Sequence, residues 1–136
     1  MEIYIITNNY HRAKEYFRRI YNLYNKKYLF LNTVKLQAKV IIDNQTLISI
    51  DTIIIHNIND LCGYRFNKGI IYIDSCLYNN EDIFQEILRR STKDCELKRL
   101  KVFIILRNGE KIIDKFKDSN SQYIELEKHK IFWKDI

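Results

Sequence analysis

Proline is absent from this chain of 136 residues, and glycine occurs only three times. Alanine is scarce too, while isoleucine, asparagine, lysine and tyrosine abound. That skew is the imprint of an AT-rich coding sequence and points to a low-GC bacterium, its phages or its plasmids. No Gly-, Ser- or Pro-rich linker, repeat or low-complexity stretch divides the chain, so its length predicts one domain, 1–136, with a core of its own. No apolar run approaches the roughly 20 residues that cross a bilayer, which argues against a membrane partner. The opening residues, MEIYIITNN, have no basic flank and no small-residue cleavage site, so they do not read as a signal peptide. The expectation is a cytoplasmic protein, in the host cytoplasm if the source is viral.

Chemistry-bearing patterns are also missing. Cys62, Cys76 and Cys95 are odd in number and widely spaced. They fit neither a CxxC metal site nor a disulfide framework, and read as reduced structural thiols. His11, His56 and His129 have no ligand spacing with one another or with cysteine. There is no GxSxG, no HExxH and no repeated Asp-x-Asp set. Asp43, Asp51 and Asp74 would form a metal site only if folding brought them together. Disorder is excluded as well, because 46% of residues are hydrophobic and 29% charged, the balance of a globular chain.

What is present is alternation. Residues 2–7 (EIYIIT), 69–74 (GIIYID) and 101–106 (KVFIIL) are apolar throughout and predict strands buried on both faces. Between the first two, Tyr10, Ala13, Phe17, Ile20, Tyr21 and Tyr24 recur at helical spacing. Residues 36–42 and 45–50 flank DNQ and predict a hairpin, with a further strand at 52–56. Residues 80–91 predict a second helix, with Asn80 as cap, acids in its first turn and Arg89 and Arg90 in its last. A helix over 110–117 and one or two strands in SQYIELE and KIFWKDI close the chain. The pattern gives an α/β fold, a central mostly parallel sheet flanked by helices, with a β-hairpin insertion near 36–50.

Ligands of open α/β sheets lie beyond the carboxyl ends of the strands. Thr7-Asn8-Asn9, Asp74-Ser75 and Arg107-Asn108 fall there. A strand, turn and helix followed by a strand ending in Asp resembles the P-loop NTPase arrangement. The segment GYRFNKGIIYIDS resembles the approach to the Walker B motif of phage and plasmid terminase, packaging and helicase-like ATPases. LKRLKVFIILRN resembles their next core strand, and IIDKFKDSNSQYIELEK the late part of such domains. The resemblance implies a nucleotide at Asn8, Asn9 and Lys14, with Asp74 on magnesium and Ser75 beside it. The departures are as informative. A phosphate loop needs glycines, a Lys and a hydroxyl. Here Asn8 and Ala13 replace the glycines, Glu15 replaces the hydroxyl, and Ser75 stands where the family has its catalytic Glu. Without the resemblance, Asp74 is a strand-end carboxylate capping the next turn and Lys14 a solvated helix residue.

Lysine and arginine number 23 against 17 acids, a net charge of +6 with a pI near 9.2, which favours an anionic partner. Arg12, Lys14, Arg18 and Arg19 share a helix with Tyr10, Tyr16 and Tyr21, and Lys26 and Lys27 follow. Arg89, Arg90, Lys93, Lys98, Arg99 and Lys101 make a second cluster. Both suit nucleic acid, with tyrosines to stack on bases, or an acidic protein surface; both are also what a solvated helix face looks like. The expectation is a non-catalytic binding protein of a phage or mobile element, a possible inhibitor or modulator, that needs no cofactor. The alternative is an ATPase acting on DNA or in DNA packaging, with Mg and ATP.

Overall fold

The computed structural model describes residues 1–66, 68–97, 99–107 and 121–125, with the backbone alone for 92–96 and 121–125. The helix expected over 110–117, the strand in KIFWKDI, Asn108, His129 and Lys98 lie outside the described residues, and the side chains of Lys93 and Cys95 do too.

The strands are β1 (Glu2–Thr7), β2 (Leu29–Asn32), β3 (Gln37–Ile42), β4 (Gln45–Ile54), β5 (Gly69–Asp74), β6 (Leu100–Leu106) and β7 (Ser121–Glu125). Among the described residues the α-helices are α1 (Tyr10–Tyr21) and α2 (Glu81–Glu96). The seven strands of the described residues form one sheet in the order β2-β3-β4-β1-β5-β6-β7. β4, β1, β5, β6 and β7 run parallel, and β2 and β3 join antiparallel at one side. The three apolar runs are thus neighbours at the centre, as their burial on both faces requires.

Side-chain alternation splits the core into two layers. Ile3 and Ile5 of β1, Ile70 and Tyr72 of β5 and Phe103 and Ile105 of β6 face one way. They meet Ala13, Tyr16, Phe17 and Ile20, which share one face of α1 at helical spacing. Ile6, Ile71, Ile73, Val102 and Ile104 face the other way, against Ile83, Phe84 and Ile87 of α2.

The hairpin is real but is no insertion. β4 is a single strand of 10 residues, replacing the two strands expected at 45–50 and 52–56. Its first part pairs with β3 and its second runs parallel to β1, so the hairpin widens the main sheet. Asp51, which reads as a break in the sequence, is half-buried within β4 and accepts a hydrogen bond from Gln37 Nε2 at 3.1 Å. Asp43 and Asn44 form the turn with φ of 52° and 62°, the left-handed pair that a two-residue hairpin demands. β2 was not expected; Leu29, Phe30 and Leu31 follow a lysine-rich link and alternate too briefly to stand out.

Gly69 opens β5 at φ 104°, and a Cβ there would lie 1.9 Å from the carbonyl oxygen of Glu2. Only glycine lets β5 start this close to β1. The register carries through to the far ends, where Ile6 lies beside Ile73, and Asp74 beside Ile105. Thr7, Asp74 and Arg107 therefore share the carboxyl edge of the sheet.

Candidate functional site

Thr7 ends β1, and Asn8 and Asn9 alone link it to α1. Asn9 caps the helix, its Oδ1 accepting from the Arg12 backbone N–H at 3.0 Å. Thr7 Oγ1 accepts from the Asn9 N–H at 3.2 Å and donates to Asp74 Oδ2 at 2.7 Å. Helical side chains tilt toward the N-terminus, so a cation in the first turn of α1 overlooks the strand end. Arg12 does so: its Nη1 lies 3.0 Å from Asp74 Oδ1. The same oxygen takes the Cys76 backbone N–H at 3.3 Å, which caps the 3₁₀ turn Ser75–Asn79.

Asp74 is wholly buried, and both its oxygens are engaged. A buried carboxylate is tolerable only when paired and hydrogen-bonded in this way. Around it, Cys76 Sγ donates to Asn8 Oδ1 at 2.9 Å. Burial, then the Asp74 charge, pushes that thiol up to about 11. Ser75 is buried behind. The Tyr16 hydroxyl is buried within electrostatic reach of Asp74, Arg12 and Arg107, and burial first, then Asp74, pushes it far above the usual range. Glu15 forms a second clasp: its Oε2 meets Arg107 Nη1 at 3.0 Å and its Oε1 meets Arg19 Nη2 at 3.4 Å. It ties α1 to the end of β6.

The described residues depart from a phosphate-loop site in their geometry. The two-residue link leaves no loop to curl around a phosphate, because α1 has begun by Tyr10. Lys14 lies two positions beyond Arg12, about 200° around the helix axis, on the side away from Asp74. Its Nζ sits 5.2 Å from the centre of the Tyr10 ring. Asp43, Asp51 and Asp74 do not meet, and the described residues hold no cluster of three or more metal-ligating side chains.

No family model, curated protein or solved structure matches this chain. Its chemistry has to be read from its own residues.

The basic clusters differ in how much charge they leave free. Arg89 and Arg90 both grip Glu86, and Arg90 Nη1 also reaches the Leu61 carbonyl at 2.8 Å. Those contacts hold Glu86 down at about 2. Arg99 is exposed at the foot of β6. On α1, Arg12 and Arg19 are committed to carboxylates. Lys14, Arg18, Lys26 and Lys27 are exposed, and none of them forms an ion pair with another described residue. Lys27 Nζ lies 5.5 Å from the Tyr28 ring centre.

Lys14 and Arg18 also border a cleft of about 370 Å³ between α1 and the β2–β3 turn. His11 joins them on the helix side, Phe17 and Tyr21 lie along it, and Thr33 and Leu36 form the opposite wall. The sequence shows the stripe His11, Lys14, Arg18 and Tyr21, but the far wall depends on where β3 places its first residues. The Arg12–Asp74 pair was equally hidden: only parallel pairing of β1 and β5 makes two residues 62 positions apart neighbours.

Proposed function

We propose that this chain is a non-catalytic binding domain of a phage or mobile element, which engages an anionic macromolecule, nucleic acid or an acidic protein surface, through the cationic side of α1. One observation carries the reading: Arg12 occupies the strand-end carboxylate from within the chain. A carboxylate that holds magnesium must offer an oxygen to the metal. Asp74 offers its oxygens to Arg12, Thr7 and the Cys76 amide instead. The free cations lie on the other side of α1, at Lys14 and Arg18, and extend to Lys26 and Lys27 past its end. The net charge of +6 supports the same sign of partner.

The test is thermal unfolding with magnesium and ATP or GTP, since a ligand that binds only the native state raises the melting temperature. No rise is expected. A rise of several degrees that Lys14→Ala abolishes would restore the nucleotide-dependent alternative. A mobility shift with DNA and RNA at low salt reports which anionic partner applies.

A further inference from the structure

We propose that the cleft between α1 and the β2–β3 turn is a docking groove for a short, extended, acidic segment of a partner protein, in which two carboxylates flank an apolar side chain. The proposal rests on the reading above and names the partner's chemistry.

Charge selects the occupant. His11, Lys14 and Arg18 recur at three- and four-residue steps, so they stand in one row along the groove. Glu15 also borders it, but its oxygens belong to Arg107 and Arg19, so the groove stays cationic. Spacing selects the conformation. Lys14 and Arg18 are separated by about 6 Å of helix rise. An extended chain repeats its side chains on one face every ~6.7 Å, so carboxylates at alternate positions meet successive cations. The residue between them projects the opposite way, toward the wall made by Leu36 and Thr33. Leu36 is itself packed into the core, and the exposed apolar surface lies beside that wall in the turn, where Val34 is 86% exposed and Leu31 is exposed as well.

The same details disfavour a nucleic-acid strand. Stacking needs open aromatic faces. Tyr16 is buried and Tyr21 packs against Phe17 with ring centres 5.0 Å apart, which leaves Tyr10, exposed and with Lys14 over one face, as the open ring on this side of α1. Exposed aliphatic side chains such as Val34 and Leu31 offer nothing to a phosphate backbone.

The experiment is fluorescence anisotropy with the full chain and a labelled hexapeptide, Ser-Glu-Leu-Glu-Leu-Ser, with a version carrying lysine for glutamate as control. Saturable binding of the acidic peptide alone is expected, weakened about tenfold or more by Lys14→Glu with Arg18→Glu. Val34→Asp should weaken it without touching the cations, and Lys39→Glu, on the opposite sheet face, should leave it unchanged. Melting temperatures of the variants establish that each is folded. No binding, or binding indifferent to Lys14 and Arg18, overturns the proposal. A labelled oligothymidylate that binds through Lys14 and Arg18 where the peptide does not assigns the groove to nucleic acid and leaves the non-catalytic reading standing. Displacement of either probe by magnesium ATP, with a rise in melting temperature, overturns that reading itself.

Discussion

Arg12 and Asp74 meet at 3.0 Å where α1 turns back over the end of β5, and Asp74 has no exposure to water while Arg12 keeps 27% of its side chain exposed. The asymmetry decides what each partner's loss does. Without Arg12, a charge stays buried with the Thr7 and Cys76 hydrogen bonds and no other ion pair among the described residues. Without the Asp74 charge, Arg12 can turn toward solvent. Breaking a buried pair from one side costs about 3–5 kcal/mol, and the partial exposure here puts Arg12→Leu nearer the lower end. Asp74→Asn should cost less, and Arg12→Leu combined with Asp74→Asn less than the sum of the two. Urea unfolding of the three variants measures this coupling; an Arg12→Leu protein as stable as the parent contradicts it.

Gly69→Ala should be among the most damaging single substitutions. The new methyl group would overlap the Glu2 carbonyl, and the backbone there is left-handed. Both effects act on the β1–β5 seam, and together they should cost more than about 2 kcal/mol. The cheap comparison is Gly63→Ala: it is also left-handed, at φ 84°, but a Cβ there meets nothing within 4 Å. Equal losses of melting temperature for the two would mean that the clash is relieved by a small shift.

Stability should fall on the alkaline side. Tyr16 and Tyr72 are pushed well above the ordinary tyrosine value, chiefly by burial, and Tyr4 is pushed up to about 12 by burial and then Glu2. Cys76 is raised to about 11. A raised acid keeps its proton in the folded chain after the unfolded chain has lost it. Above the unfolded values the unfolded state binds fewer protons, so unfolding becomes easier as pH rises. The loss should begin near pH 9 with the thiol and steepen through 10 to 12 as the phenols follow. Urea midpoints across this range test it, with phenolate absorbance expected to appear in two stages, exposed tyrosines first.

The sequence made the fold legible where burial is total. Three runs without a polar interruption predict central parallel strands, which is how β1, β5 and β6 pair, and α1 and α2 announce themselves by periodicity and caps. It was less legible where the sheet is open on one face. There Asp51, Lys39 and Gln37 sit within strands, and polar residues in half-covered strands look like breaks. The candidate site divides along the same line. Thr7, Asp74 and Arg107 could be placed at one sheet edge from strand ends alone. That Arg12 and Glu15 would neutralise two members of that edge could not, because ion pairing needs the helix rotation as well as the strand order. Arg89 and Arg90 show the converse: Glu86 lies three and four positions before them, so their pairing was written in the helix itself.

The thiols give a final prediction that reports on the strand-end cluster directly. Cys62 is exposed, whereas Cys76 is half-buried, donates its proton to Asn8 and has its thiolate opposed by burial and by Asp74. Alkylation follows the thiolate population and its access. At pH 8, iodoacetamide should therefore modify Cys62 at least about tenfold faster than Cys76. Peptide mass mapping over time separates the sites. The contrast should shrink in Arg12→Leu, because the helix end then loses its hold on Asp74 and the Asn8–Cys76 contact opens with it. Rapid modification of Cys76 in the parent chain would mean that the edge formed by Thr7, Asn8 and Asp74 opens readily, and that the Arg12–Asp74 pair does not close the site.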